Sequence, residues 1–313
     1  MRKGRWVGTR TAVGARLPPV QGITDHGRDV VAPMVLEAWE DFLALVEPLD
    51  FDAPTRLPGW RVHEVCVHLG AWPEHDALAG VLASAREGRL DRLPDSDEIN
   101  DRLVETYRDA SREEVIDSLV RARDNAAAYF DDPDSTLDIA LAGSVVGPLP
   151  VLSVMLGGNY ELAVHALDLE PAGAPPPSDR LLLTGLGALA EVAGALAAGV
   201  GLNESASLHS PIGGWQFAAH DGTWTTRKLG PEQPSGTAVE GDAAGLLDLS
   251  AGRINPVVAI TKGHLRVHDL PGLLRLAPIV ESAPGIPGGP VLRVAARTLS
   301  ATMRLGALGR LRR

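Results

Sequence analysis

The sequence predicts an α+β protein in which a helical bundle precedes a smaller α+β unit. Three observations carry that reading. Apolar residues recur at three- and four-residue steps through most of the first 170 positions, a proline-rich run, PAGAPPPSD, interrupts the pattern at 171–179, and strand-like stretches occur only beyond it. At 313 residues the chain exceeds what one compact core usually holds, so two domains are expected. The expected division is 1–29 as a basic extension, 30–170 as the bundle, 171–180 as a linker, 181–281 as the α+β domain, and 282–313 as a linker with a basic tail.

Taken in order, residues 30–49 set Met34, Trp39, Leu43 and Val46 on one side of a helix and Glu37, Glu40 and Asp41 on the other. A loop with Pro54, Pro58 and Gly59 leads to Trp60, after which Val62, Val65, Cys66 and Leu69 begin a second helix. Residues 97–107 and 112–130 keep the helical period through Ile99, Leu103, Val115, Leu119 and Ala126, and 149–169 is the last helix of the group. Helices with connections of varied length make a bundle the simplest architecture. The proline run cannot extend it, because proline lacks the amide proton and clashes with the preceding turn.

Residues 181–200, LLLTGLGALAEVAGALAAGV, have the length of a membrane span, but Glu191 sits at the middle. An unpaired carboxylate there costs on the order of a few kcal/mol, so a buried helix is expected instead. Strand-like stretches follow at 214–219 and 223–229, joined by the turn-forming His220, Asp221 and Gly222. Residues 242–249 read as helical, 264–268 as extended and 270–279 as helical.

Composition narrows the class. An apolar share of 45% suits a globular protein, and a net charge of −11, from 29 basic and 40 acidic residues, argues against nucleic-acid binding. With Cys66 as the only cysteine no internal disulfide forms, and a cytoplasmic location is expected. Residues 1–16 carry Arg2, Lys3, Arg5, Arg10 and Arg16 without the apolar segment of a secretory signal. Residues 291–313 hold six arginines among Leu292, Val294, Leu299, Met303 and Leu308, a basic amphipathic pattern suited to an anionic membrane surface, to the chain's own domain or to a partner subunit.

One constellation carries chemistry. In NYELAVHALDLE, Glu161 and His165 are four residues apart and project from one helix face, which Asp168 shares. An imidazole and a carboxylate at this spacing can ligate one divalent ion, with further ligands from a facing helix. His68 is the candidate, on the side of its helix that carries Val65, Leu69 and Trp72, whereas His63 and His75 lie off that line. Taken alone, the Glu-x-x-x-His pair also fits an exposed helical pair, and His68 also fits a core histidine. Asp168 either orients the neighbourhood of His165 or balances local charge. Cys66, among apolar neighbours, reads as a core residue.

The stretch LPGWRVHEVCVHLGAW at 57–72 resembles the Pro-Gly-Trp, helix, His-Leu pattern of DinB-like metal-binding domains. NYELAVHALDL at 159–169 is similar to the Glu-x-x-x-His-x-x-Asp segment of the mycothiol-dependent maleylpyruvate isomerase family, and SDEINDRLVETYRD at 96–109 to a helix between them. GDAAGLLDLSAGR at 241–253 and AITKGHLRVHDLPGLLRL at 259–276 look like the family's C-terminal domain, related to sterol carrier proteins. The resemblance implies a DinB-like four-helix bundle followed by a sterol-carrier-like domain, with metal ligands His68, Glu161 and His165. It also implies a catalytic arginine, best matched by Arg253 in the Ala-Gly-Arg turn, where an arginine that only anchors the turn is the other reading, with Asp168 beside the site. The implied activity is that of a zinc- or other divalent-metal-dependent enzyme that uses mycothiol, isomerising a small electrophile or transferring the thiol to it through a metal-activated thiolate. The other expectation is a hydrophobic-ligand or lipid-binding protein built on the sterol-carrier-like half.

Overall fold

The computed structural model describes residues 22–91, 96–231 and 233–282, and within these the chain is α+β. The basic segment 1–16 and the tail 291–313 lie outside the described residues. In the first half the elements are α1 (Arg28–Val46), α2 (Val62–Leu69), α3 (Ala77–Glu87), α4 (Ser96–Thr106) and α5 (Arg112–Asp131), then a two-stranded hairpin of β1 (Leu141–Ala142) and β2 (Leu149–Pro150), then α6 (Val151–Asp168). After the prolines come α7 (Asp179–Gly199), β3 (Ser205–Ser210), β4 (Gly213–His220), β5 (Thr223–Leu229), β6 (Ala238–Gly241), α8 (Ala243–Ser250), α9 (Pro256–Thr261), β7 (Leu265–His268), α10 (Leu270–Arg275) and α11 (Ala277–Ser282).

The helices expected from periodicity form close to their expected bounds, while α3 and the β1–β2 hairpin were not anticipated. In α3 only Ser84 is buried, so its sequence offers little apolar signal. The expected helix at 149–169 gives its first two residues to β2, and the expected helix at 270–279 is broken into α10 and α11. Ser111 starts α5 by accepting from the Glu114 amide while Glu114 accepts from the Ser111 amide at 2.7 Å, so both otherwise unpaired donors are satisfied.

Five strands form a second sheet in the order β5-β4-β3-β6-β7, antiparallel except for the parallel pair β3–β6. The expected strands in β4 and β5 join through Asp221 and Gly222, both at positive φ, as a tight hairpin turn requires. β3 and β6 were not foreseen: SASLHS lacks the β-branched and aromatic residues that mark a strand, and β6 is four residues long. One sheet face presents Leu208, Trp215, Phe217 and Val239 to the helices. Trp215 donates its indole N–H to the Leu183 carbonyl of α7 at 2.8 Å. Its ring lies so close to α7 that a Cβ at Gly187 would stand 2.9 Å away, which is why a glycine sits there.

α7 is the one helix among the described residues long and apolar enough to cross a membrane, yet 72% of that stretch is buried. It packs on α6 and α1 on one side and on β4 and β5 on the other, inside a core that also takes in Phe42, Leu156, Leu181, Leu186 and Leu247. Glu191, at its middle, is fully buried and paired. Its carboxylate accepts from the Ile23 amide at 2.9 Å, the Thr24 amide at 3.4 Å and the Thr24 hydroxyl at 2.7 Å. Residues 22–26 are thereby stitched against α7, so the carboxylate that argued against a span instead fastens the start of the described chain.

Removing this acceptor tests the account. Glu191→Ala leaves two buried amides without a partner and opens a void, and is expected to cost about 2–4 kcal/mol of folding stability. Thr24→Val removes one donor and is expected to cost about 1 kcal/mol. Urea denaturation followed by circular dichroism measures both, and an unchanged midpoint for Glu191→Ala contradicts the account.

Candidate metal centre

The centre is built where α2 faces α6. The loop that delivers α2 is held by its own bonds: the Thr55 hydroxyl donates to the Trp60 carbonyl at 2.8 Å, and the Leu57 amide donates back to the Thr55 hydroxyl at 3.1 Å. At the start of α2, Glu64 accepts from the Arg61 amide at 2.7 Å and pairs with the Arg61 guanidinium at 2.7 Å, which satisfies a donor the helix cannot. The helix ends after two turns at Gly70, where a Cβ would stand 2.1 Å from the Ser118 hydroxyl of α5. That close approach sets α2 in place with His68 in its last turn, next to α6.

On α6, Glu161, His165 and Asp168 follow one another at four and three residues and lie along one face. The Nε2 atoms of His68 and His165 stand 3.8 and 3.6 Å from Glu161 Oε2. One ligand-type atom from each of the three residues lies within 4.8 Å of the others. Ligands bound at about 2.1 Å in a tetrahedron are about 3.4 Å apart, so a modest side-chain contraction brings these three atoms to coordinating distance. Two imidazoles and a carboxylate suit zinc and several other divalent ions, and three ligands leave a coordination position open. Among the described residues no other group of three such side chains converges in this way.

The two imidazoles are held differently. His165 is buried, and its Nδ1 meets Asp168 Oδ2 at 3.1 Å, which fixes the ring with Nε2 toward Glu161. His68 has no such partner: its Nδ1 is buried and unpaired, and the ring is placed by packing against Trp60, 5.7 Å between centroids, and edge-on to His165 at 5.1 Å.

Charge follows from this arrangement. Burial pushes the Glu161 carboxyl up, but the two imidazoles outweigh it and hold it well below the usual carboxylate range, although 43% of the side chain faces solvent. Burial lowers the His165 pKa, and the Asp168 and Glu161 carboxylates more than reverse this, so its value is raised. Asp168, whose side chain is fully buried, is pushed up by burial and brought below its ordinary value by His165 and Arg253.

Arg253, expected to act in catalysis, lies against Asp168. Its Nε and Nη2 donate to the two carboxylate oxygens, each at 3.0 Å. Asp168 therefore stands between His165 and Arg253. Two residues of this network escaped sequence reasoning: Arg56 pairs with Asp248 of α8 at 2.5 Å and lies 3.8 Å from Asp168, while its own amide donates to the Asp168 carbonyl at 2.9 Å. A buried acid on the apolar helix LLDLS was the available signal for Asp248, since such an acid needs a cation. His63, judged to be off the inner line, is nonetheless buried, with Nε2 3.0 Å from the Ala110 carbonyl. Cys66 is a core residue, its thiol pushed up by burial and so not activated.

Residues 35–170 match the family model described as the mycothiol maleylpyruvate isomerase N-terminal domain. The match spans less than half of the chain, all of it in the helical half. The matched segment takes in α2 and α6, and with them His68, Glu161, His165 and Asp168. No curated protein matches the chain. Two crystal structures are similar to it at a TM-score of 0.45. One, of a mycothiol-dependent maleylpyruvate isomerase, is 16% identical over 75% of this chain and 93% of its own. The other, a mutant of such an enzyme, is 17% identical over 74% and 92%.

Two pH dependences follow for the metal-free protein. His165, with a raised folded pKa, contributes stability that is complete below its unfolded value of about 6.5 and is lost as pH rises through the folded value. Asp168, with a lowered one, contributes above about 3.9 and loses its share as pH falls through the folded value. The stability deficit of His165→Gln relative to the parent is therefore expected to be large at about pH 5.5 and to shrink by about pH 9, read by urea denaturation after chelation. A deficit that grows with pH contradicts this assignment.

Proposed function

We propose that this chain is a divalent-metal-dependent enzyme that uses mycothiol to isomerise a small electrophilic substrate, with His68, Glu161 and His165 as the metal ligands. The observation that carries the reading is the convergence of those three side chains from two helices within 4.8 Å. The match of residues 35–170 to the mycothiol maleylpyruvate isomerase N-terminal domain model supports the thiol and the isomerase class. Transfer of the thiol to the electrophile is the neighbouring outcome of the same chemistry. We read residues 30–170 as a DinB-like four-helix bundle, 171–180 as a linker and 181–281 as a sterol-carrier-like domain.

A divalent cation in this centre, zinc on the reading preferred here, supplies Lewis acidity that lowers the pKa of a coordinated thiol. The chain's own residues set the conditions for it. Glu161, ionised across the physiological range, contributes the negative charge of the ligand set, and Asp168 holds the His165 ring with Nε2 inward. Arg253 acts on the centre through Asp168, as a positioning residue, keeping that carboxylate ionised and fixed in direction. Trp60 walls the side beside His68. No specific observation favours the lipid-binding reading, because the apolar α7 that suggested it is packed between α6 and the sheet.

The purified protein is expected to hold close to one divalent ion per chain by elemental analysis. His68→Ala and His165→Ala are expected to lose the ion together with mycothiol consumption in the presence of small electrophiles. Asp168→Asn is expected to keep the ligands and lose about 10- to 100-fold in metal affinity, measured by competition with a chromophoric chelator. A metal-free protein that turns over mycothiol, or a His68→Ala variant that does so at the parent rate, overturns the proposal.

A further inference from the structure

The face of the five-stranded sheet that points away from α7 carries a second cluster of polar groups. Strand register sets His209 of β3 beside Glu240 of β6, and Glu240 opposite Arg266 of β7, so the three side chains share that face. A cavity of about 370 Å³ opens over them, rimmed by Pro211, Pro231 and Pro234. This is within the usual size range of small-ligand sites. None of its lining belongs to the metal centre.

Part of the polar lining of this cavity is used by the fold, with the Ser210 hydroxyl donating to the Gly213 carbonyl at 2.5 Å, and part is not. His209 is 92% buried, at 8% exposure, and lines the cavity; its Nε2 is 3.0 Å from the Ser207 hydroxyl, while Nδ1 makes no hydrogen bond among the described residues. Arg266 and His264, both lining, likewise make no hydrogen bond or ion pair among them. Glu240, the acid of the described lining, is engaged by His268, whose Nε2 lies 2.9 Å from Oε2. The His209 ring is thus held in the sheet through Nε2, with Nδ1 free to pair with a ligand in the cavity. A free guanidinium on the same face supplies a fork of donors for an oxyanion.

We propose that this cavity binds a phosphate group, either inorganic phosphate or the terminal group of a small phosphate monoester. Arg266 donates to its oxygens, and His209 Nδ1 pairs with it from the sheet. A phosphate suits the imidazole in either state, since its hydroxyl donates to a neutral Nδ1 and its oxygens accept from a protonated one. Across two strand spacings the Cα atoms of His209 and Arg266 are about 10 Å apart, a gap the long arginine side chain and a tetrahedral anion can close. A metal ion is the less suitable occupant, because the nitrogen and carboxylate groups here do not converge as His68, Glu161 and His165 do.

Titration calorimetry of the full-length protein with inorganic phosphate, glycerol phosphate and succinate at constant ionic strength tests this. Saturable phosphate binding is expected, weakened about tenfold in Arg266→Gln, at an exposed position, and strengthened in Glu240→Gln, which removes the negative charge beside the anion. Binding is expected to persist in His68→Ala, which separates this site from anions that bind at the metal centre. Equal affinity for the two phosphates marks free phosphate as the occupant, and tighter binding of glycerol phosphate marks a monoester. The proposal is overturned if no saturation is seen by about 10 mM, if Arg266→Gln binds as the parent does, if His68→Ala abolishes binding, or if succinate binds as tightly as phosphate.

Discussion

A single buried carboxylate, that of Asp168, ties the centre together. It sits at the C-terminal end of α6, where unpaired helix carbonyls make a negative charge unfavourable. It persists there because it is surrounded by partners: His165 on one oxygen, Arg253 across both, and Arg56 within 3.8 Å. The backbone carbonyl of the same residue accepts the Arg56 amide. One residue thus joins α6, the loop before α2 and the turn after α8, and the direction of the His165 ring is a consequence of that junction.

The charges in this junction alternate. Arg253, Asp168, Arg56 and Asp248 run positive, negative, positive, negative, so a sizeable number of ionised groups is taken out of water with no net charge among the four. Burial pushes Asp248 upward, Arg56 opposes it, and the balance still leaves its value raised. Asp168, with more cationic partners, ends below its ordinary value. The difference in outcome for two acids a few ångströms from the same arginine comes from how many donors each receives, not from depth alone.

Much of the helical half was legible in the sequence, because amphipathic periodicity and proline breaks report the two things that set those elements: which face is buried and where the amide ladder must stop. The spacing of Glu161, His165 and Asp168 was legible for the same reason, as helix geometry alone places them in a line. What the residues could not supply was pairing at a distance. Arg56 and Asp248 are 192 positions apart, and Arg253 and Asp168 are 85 apart, and no local pattern marks either arginine as the partner of a particular acid. The missed elements have a related cause: α3 is largely exposed, and β3 is made of small polar residues whose strand character comes from neighbours on both sides.

The proline run at 171–179 ends a helix, yet it does not separate the packing on either side of it. α7 follows those prolines and lies directly on α6, with the sheet on its other flank, so residues from before and after the run share one apolar core. The ionic junction at Asp168 lies across the same divide, since Arg253 follows α8 and His165 belongs to α6. A displacement of α8 relative to α6 would therefore first lengthen the two 3.0 Å bonds to Asp168 and then free the His165 ring to turn. The geometry of the three converging side chains is in this sense a property of how both halves of the chain pack, although every one of those side chains is contributed by the first.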